Sequence, residues 1–175
     1  MKKLFFFMAM IATMSLVTVS CSKDDDDDNT DSTENRLKFA NKLTQDGTSC
    51  TWEGTERTKT KQWGNWSDDG DKYAVMRFDR TSTKSIEGTG YVIYFENAYK
   101  DNVNSQSEFM WSFANDVLNI TYRHEGWAPV HAEYRTLELI IDGDRFDGTW
   151  FESSGKKFEF NYKKSSFNDW DKYKQ

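Results

Sequence analysis

The stretch Phe109-Met110-Trp111-Ser112-Phe113-Ala114-Asn115-Asp116-Val117-Leu118-Asn119-Ile120-Thr121-Tyr122 decides the fold. Asn115-Asp116 is a two-residue hairpin signal, and aromatic and β-branched residues alternate with polar ones on either side of it. Folding the chain back at that turn sets Phe113 opposite Leu118, Trp111 opposite Ile120 and Phe109 opposite Tyr122. Those side chains share one face, whereas Ser112 and Asn119 meet on the other. A slip of one residue would send every apolar side chain to the wrong face, so this register is strongly specified.

The same alternation extends in both directions. A turn at Gly143-Asp144 aligns Ile141 with Phe146 and Leu137 with Trp150. Beyond it, a two-residue loop at Ser154-Gly155 would set Trp150 against Glu159. A three-residue loop, Ser153–Gly155 with Gly155 left-handed, instead gives Trp150–Phe158, Gly148–Phe160 and Phe146–Tyr162, with Glu152 opposite Lys156, and is the expected one. Period-two patterning predicts strands at Cys50–Thr60, Lys72–Asp79, Thr89–Glu96, Ser107–Ala114, Val117–Arg123, Ala132–Ile141, Arg145–Glu152 and Lys156–Lys163. No helical stripe of ten or more residues interrupts them, and the single proline, Pro129, lies in a loop. A sheet with one apolar face and so many strands closes most simply on itself, which removes exposed edges. The expected class is all-β: an eight-stranded antiparallel up-and-down β-barrel with short N- and C-terminal capping segments. Leu37, Ala40 and Leu43 predict a short helix or turn over Arg36–Leu43. Phe167, Trp170 and Tyr173 predict a second segment, lying over the closed end against Leu37 and Leu43.

Gly47…Trp52 at the start of the first strand, Glu87-Gly88-Thr89-Gly90, Phe109-Met110-Trp111-Ser112-Phe113 and Phe158-Glu159-Phe160 resemble the lipocalin-like lipoproteins of Bacteroidetes bacteria. The resemblance covers roughly Leu43–Trp170. It implies a lipocalin-like barrel and a place in the cell envelope, and it implies no substrate.

The N-terminal residues speak to the same location. Lys2 and Lys3 precede Leu4–Val19, an uncharged apolar run of sixteen residues. That is short for a membrane span of ~17–25 residues and suits a secretory signal. Ser20-Cys21-Ser22-Lys23 and the run Asp24–Asp28 follow at once. This resembles a bacterial lipoprotein signal, residues 1–20, with Cys21 as the lipidated first residue of the mature chain. Ser22-Lys23 with the aspartates resembles the export signal that sends Bacteroidetes lipoproteins to the outer cell face. Cleavage by an ordinary signal peptidase, with Thr18 and Ser20 as the small residues, which would release a soluble protein, or retention as an uncleaved anchor, are the competing readings. Cys21 at the boundary between the apolar and acidic segments favours lipidation. Residues 21–35 read as an acidic, disordered tether reaching at most roughly 50 Å, and residues 36–175 as the barrel domain. The expected protein is a lipid-anchored outer-membrane monomer facing the cell exterior, held to the membrane through Cys21.

The chain has 23 basic and 29 acidic residues. Setting aside Lys2, Lys3, Lys23, Asp24–Asp28, Asp31 and Glu34 leaves 20 against 22 in the domain. The acidity thus belongs mainly to the tether. No basic cluster offers a phosphate-binding surface, which argues against nucleic acid. With Cys21 lipidated, Cys50 is the remaining thiol, so an intramolecular disulfide is excluded; it is either a small buried hydrophobe or an unpaired reactive thiol.

In an up-and-down barrel, Lys61–Asp71, Asn97–Gln106, Arg123–His131 and Ser153–Gly155 lie at the end away from both termini. The three long ones carry Trp63, Trp66, Tyr99, His124, Trp127 and His131. Loops at a barrel mouth are where ligands are held, so these six are the candidate ligand-binding residues, although tryptophans also cap barrel ends merely to exclude water. The crowded aromatic interior argues against a deep lipophilic cavity and for a shallow site for a glycan or another small extracellular ligand. Catalysis has little support. His124, Glu125 and His131 match no His-Glu-x-x-His spacing, Glu125 and Glu133 read as solvated carboxylates, and no nucleophile or phosphate motif is present. Asp68-Asp69-Gly70-Asp71 and Asp142-Gly143-Asp144 read as turns, not calcium loops. A non-catalytic binding module without metal or cofactor is therefore expected. The alternative is a structural or accessory interaction protein of the envelope.

Overall fold

Side chains alternate inward and outward along eight strands in the computed structural model, which describes residues 33–114, 116–123, 133–152 and 155–173. A helix, α1 (Thr33–Leu43), precedes β1 (Ser49–Gln62), β2 (Asn65–Asp79), β3 (Glu87–Phe95) and β4 (Val103–Ala114). Then follow β5 (Val117–Arg123), β6 (Glu133–Asp142), β7 (Arg145–Glu152) and β8 (Lys157–Lys164). Each strand pairs antiparallel with the next and β8 returns to β1, closing an up-and-down barrel. The helix begins at Thr33, so Thr33–Asn35 of the stretch read as tether are helical. No helix among the described residues is long and apolar enough to cross a membrane.

The central hairpin has the expected register, with Phe113 facing Leu118, Trp111 facing Ile120 and Phe109 facing Tyr122. The β7–β8 pairing sets Trp150 with Phe158, Gly148 with Phe160 and Phe146 with Tyr162, and Gly155 is left-handed at φ +89°. Ile141 faces Phe146, but Leu137 faces Thr149 and not Trp150. A bulge between Leu137 and Ile140, with Glu138 at φ +55°, shifts the register. It turns Thr136 inward opposite Trp150. There the Thr136 hydroxyl accepts from the Leu118 N–H at 2.8 Å and donates to the Leu118 carbonyl at 3.2 Å. That side chain reinforces a β5–β6 ladder that, among the described residues, joins Asn119–Thr121 to Glu133–Arg135.

Aromatic rings fill the half of the barrel nearer the termini. Phe146 meets the rings of Trp52, Phe78, Trp150, Phe160 and Tyr162 at centroid separations between 5.0 and 6.2 Å, mostly edge to face, as ring quadrupoles favour. Room for rings this large comes from glycine. Gly90 pairs with Phe109, and a Cβ on Gly90 would lie 2.2 Å from the tip of that ring. The terminal end is shut by α1, which buries Ala40 and Leu43 and stacks Phe39 on Phe113 at 5.7 Å. The Trp52 indole N–H donates to the Leu43 carbonyl at 2.8 Å. Arg80 joins the helix to two loops, donating to Asn41 Oδ1 at 2.8 Å, to the Gly47 carbonyl at 2.9 Å and to the Ser85 carbonyl at 3.2 Å. Cys50 is buried, and burial pushes its thiol up to about 11, which disfavours the nucleophilic thiolate at neutral pH.

Further expectations need correction. Lys61–Asp71 is not a long loop: β1 and β2 continue past the barrel as a ribbon and turn tightly at Trp63-Gly64, φ +51° and +90°. Positive φ at both central residues is the hairpin geometry that matches strand twist. Asp68-Asp69-Gly70-Asp71 is accordingly strand and not turn, with Asp69 the extra residue of a bulge and Asp71 paired to Arg57 at 3.0 Å. Asn97–Gln106 is likewise shorter, because β4 already begins at Val103.

Another correction concerns the C-terminal segment. It does not lie against Leu37 and Leu43, since α1 already occupies that end. Trp170, in a 3₁₀ turn at Asp169–Lys172, packs on the outer wall against Val75, Ile93 and Phe95. Tyr73, Tyr91, Phe167 and Tyr173 surround that cluster. The outer faces of β2 and β3 are thus apolar at this height, and the tail is what covers them. Because Trp170 is 5% exposed, Trp170→Ala is expected to cost about 3–5 kcal/mol, read from urea denaturation, with increased binding of an apolar dye. Unchanged stability would show that the tail is not docked.

Candidate functional site

Toward the mouth, the inward positions change from apolar to polar. On β1 the inward series runs Trp52, Gly54, Glu56, Thr58, and Glu56 sits opposite Lys72 of β2 and Phe160 of β8. Above the aromatic core is a cavity of about 290 Å³. Its lining includes Glu56, Thr58, Lys72, Tyr94, Tyr122, Tyr134, Trp150, Glu152, Lys156 and Phe158, with Ser105, Gln106 and Ser107 from β4.

Glu56 is the unusual member, a carboxyl 4% exposed. The Tyr162 hydroxyl donates to its Oε2 at 2.8 Å. Burial pushes its pKa up to about 7, a rise that the Tyr162 hydrogen bond and the Lys72 charge partly offset. The phenols around it form a connected wall. Tyr94 and Tyr122 share a hydrogen bond of 3.2 Å, Tyr134 lies edge-on to Tyr122 at 5.0 Å, and the Tyr134 hydroxyl donates to Glu152 Oε1 at 3.3 Å. Burial first, and the Glu56 or Glu152 charge second, hold the hydroxyls of Tyr94, Tyr122, Tyr134 and Tyr162 above the ordinary phenol value. They remain protonated donors at neutral pH. The Lys72 ammonium lies 5.4 Å from the centroid of the Tyr94 ring. An ionisable group buried in a concave site beside few, convergent polar groups is the usual mark of a binding or catalytic locus.

The site residues expected from sequence lie elsewhere. Trp63 is fully exposed at the ribbon tip. Trp66 is partly exposed, with the Lys157 ammonium 4.9 Å from its ring centroid, and Tyr99 is exposed on the β3–β4 connection. None of the three lines the cavity, and the structure does not bring them together there. His124, Trp127 and His131 lie outside the described residues. Among the described residues, no group of three or more His, Cys, Asp or Glu is arranged to hold a metal ion.

Glu56, Lys72, Tyr94, Tyr122 and Tyr134, site residues that the sequence reading does not include, lie on strands and not in loops. The signal was present in the strand pattern. Glu56 follows Trp52 and Gly54 at period two, so an acid falls on an otherwise inward face.

The Glu56 carboxyl also predicts a pH signature. Its folded pKa, about 7, exceeds the ordinary carboxylate value of 4.5. The folded state therefore holds the proton more tightly, and this group favours folding most below pH 4.5. The contribution is lost as pH rises through 7, by about 3 kcal/mol in all. Subtracting the urea-unfolding free energy of Glu56→Gln from that of the native chain should isolate this slope between pH 4.5 and 7. A flat difference would mean that Glu56 titrates normally.

The closed eight-stranded antiparallel barrel is lipocalin-like in architecture. A scan against protein-family models gives no match, and a search of curated proteins gives none of significant similarity.

Proposed function

We propose that the protein is a surface lipoprotein of the Bacteroidetes type, whose barrel mouth binds a small extracellular ligand, a glycan foremost, without transforming it. The observation that carries this reading is the 290 Å³ cavity with Glu56 at its base. A fold needing only a sealed core gains nothing from burying a carboxylate, which costs several kcal/mol when incompletely compensated. The lining is wrong for a fatty ligand, since an acyl chain would strip water from Glu56, Lys72 and the tyrosine hydroxyls without replacing their hydrogen bonds. It suits a ligand that brings hydroxyls of its own and flat carbon faces for Trp150 and Phe158.

Lipidation at Cys21 rests on the signal-like N-terminus. With the anchor joined through α1 at the closed end, the cavity opens away from the membrane. The fully exposed Trp63 at the ribbon tip keeps a second reading alive, an accessory protein that docks an envelope partner through the ribbon.

Intact cells displaying the full chain should retain fluorescent glycans selected on an array. Cys21→Ser should release a protein of unchanged affinity into the medium. Tyr134→Ala, at the cavity wall, should leave display intact and abolish capture. Capture insensitive to Tyr134→Ala but lost in Trp63→Ala would favour the docking alternative.

A further inference from the structure

Resting on the mouth cavity as the ligand site, we propose that it admits a single uncharged sugar residue end-on, with neighbouring sugar hydroxyls donating to the Glu56 carboxylate. Charge balance gives the first reason. Glu56 and Glu152 are matched in the lining by Lys72 and Lys156. A charged ligand would bring an unmatched charge into a space where solvent compensates poorly. An ammonium would also find the Tyr94 ring already faced by Lys72, 5.4 Å from its centroid. A uronate would meet Glu56 and Glu152.

Hydrogen-bond capacity gives the second reason. Ionised, as it is above its midpoint near 7, the Glu56 carboxylate offers about four lone-pair sites, and among the described residues the hydrogen bond to Glu56 comes from Tyr162. Acceptor capacity is left over for the cavity, and paired hydroxyls on adjacent carbons suit a carboxylate. In the Tyr94–Tyr122 pair either oxygen can be the donor. One phenol therefore keeps its proton for a ligand oxygen, while Ser105 and Gln106 supply further donors and acceptors at the rim.

Shape gives the third. At about 290 Å³ the cavity sits at the low end of the roughly 300–1,000 Å³ typical of small-molecule sites. Beneath it Phe160 stacks on Trp150 at 4.7 Å and Phe109 packs on Tyr122 at 5.7 Å, so the floor is closed. A chain cannot pass through and must enter by its end.

The test titrates the full chain by calorimetry at about pH 8.5, where Glu56 is ionised, with methyl glycosides of neutral hexoses of gluco, galacto and manno configuration, and with the matching uronic acids and 2-amino sugars. A neutral glycoside should bind saturably, and extending it by two residues should change affinity less than threefold. Glu56→Gln, which keeps the volume and can still accept from Tyr162, should weaken binding at least tenfold. Ser105→Ala, a rim change that leaves the core untouched, should weaken it severalfold. Tighter binding of the uronic acid or the amino sugar, or an affinity indifferent to Glu56→Gln, would overturn this proposal and leave the mouth as the ligand site. Saturable binding of none of the three classes would overturn the glycan reading with it.

Discussion

The structure depends on the packing of aromatic rings around Phe146. The rings of Trp52, Phe78, Trp150, Phe160 and Tyr162 converge on it from β1, β2, β7 and β8. Strands distant in sequence are thereby held at one height of the barrel. An eight-stranded barrel is just wide enough for side chains to fill. Here they fill only the half nearer the termini. Because that half is solid, whatever space the fold leaves must lie toward the mouth, and the inward residues there decide its chemistry. On β3 the inward series ends in Tyr94, on β5 in Tyr122, on β7 in Glu152, and on β1 it reaches Glu56 and Thr58. The cavity and the core are the same strands read at two heights.

The rest of the molecule supports that arrangement from outside. Helix α1 and the Arg80 hydrogen bonds to Asn41, Gly47 and Ser85 make the terminal end a fixed base. The C-terminal segment covers the apolar outer patch of β2 and β3, so that wall is not an exposed hydrophobic surface. The Lys100 ammonium, bonded to Glu53 Oε2 at 2.6 Å and lying between the Tyr73 and Phe167 rings, secures the tail to the barrel. Two features stand apart from this scaffold, the mouth cavity and the ribbon ending in Trp63.

The barrel was legible because alternation and turn chemistry agree. The turn signals in the sequence at Asn115-Asp116 and Gly143-Asp144, and the left-handed Gly155, agree with the registers that the inward aromatics independently require. The sequence pattern failed where something other than alternation governs. The bulge at Glu138 shifts Leu137 off Trp150, and no local turn residue announces it. The ribbon departs from the pattern because Asp68-Asp69-Gly70-Asp71 has turn composition yet lies in a bulged strand. The tail docks away from the expected end because Tyr73, Val75, Tyr91, Ile93 and Phe95 form an apolar patch on the outer faces only when β2 and β3 pair. As for the site, Glu56 lies on a strand and not in a loop. Its period-two spacing from Trp52 placed a carboxylate inside, but its depth depends on eight strands closing around it, which no single strand reveals.

The central claim is that Glu56 is a buried carboxyl forming the base of a polar mouth. Carbon-13 NMR of the Glu56 side-chain carboxyl, followed through a pH titration of the folded chain and assigned by its absence in Glu56→Gln, tests this most directly. The account predicts a midpoint near 7, displaced from the exposed glutamates. A midpoint at the ordinary value of 4.5 would place that carboxyl in water and contradict it.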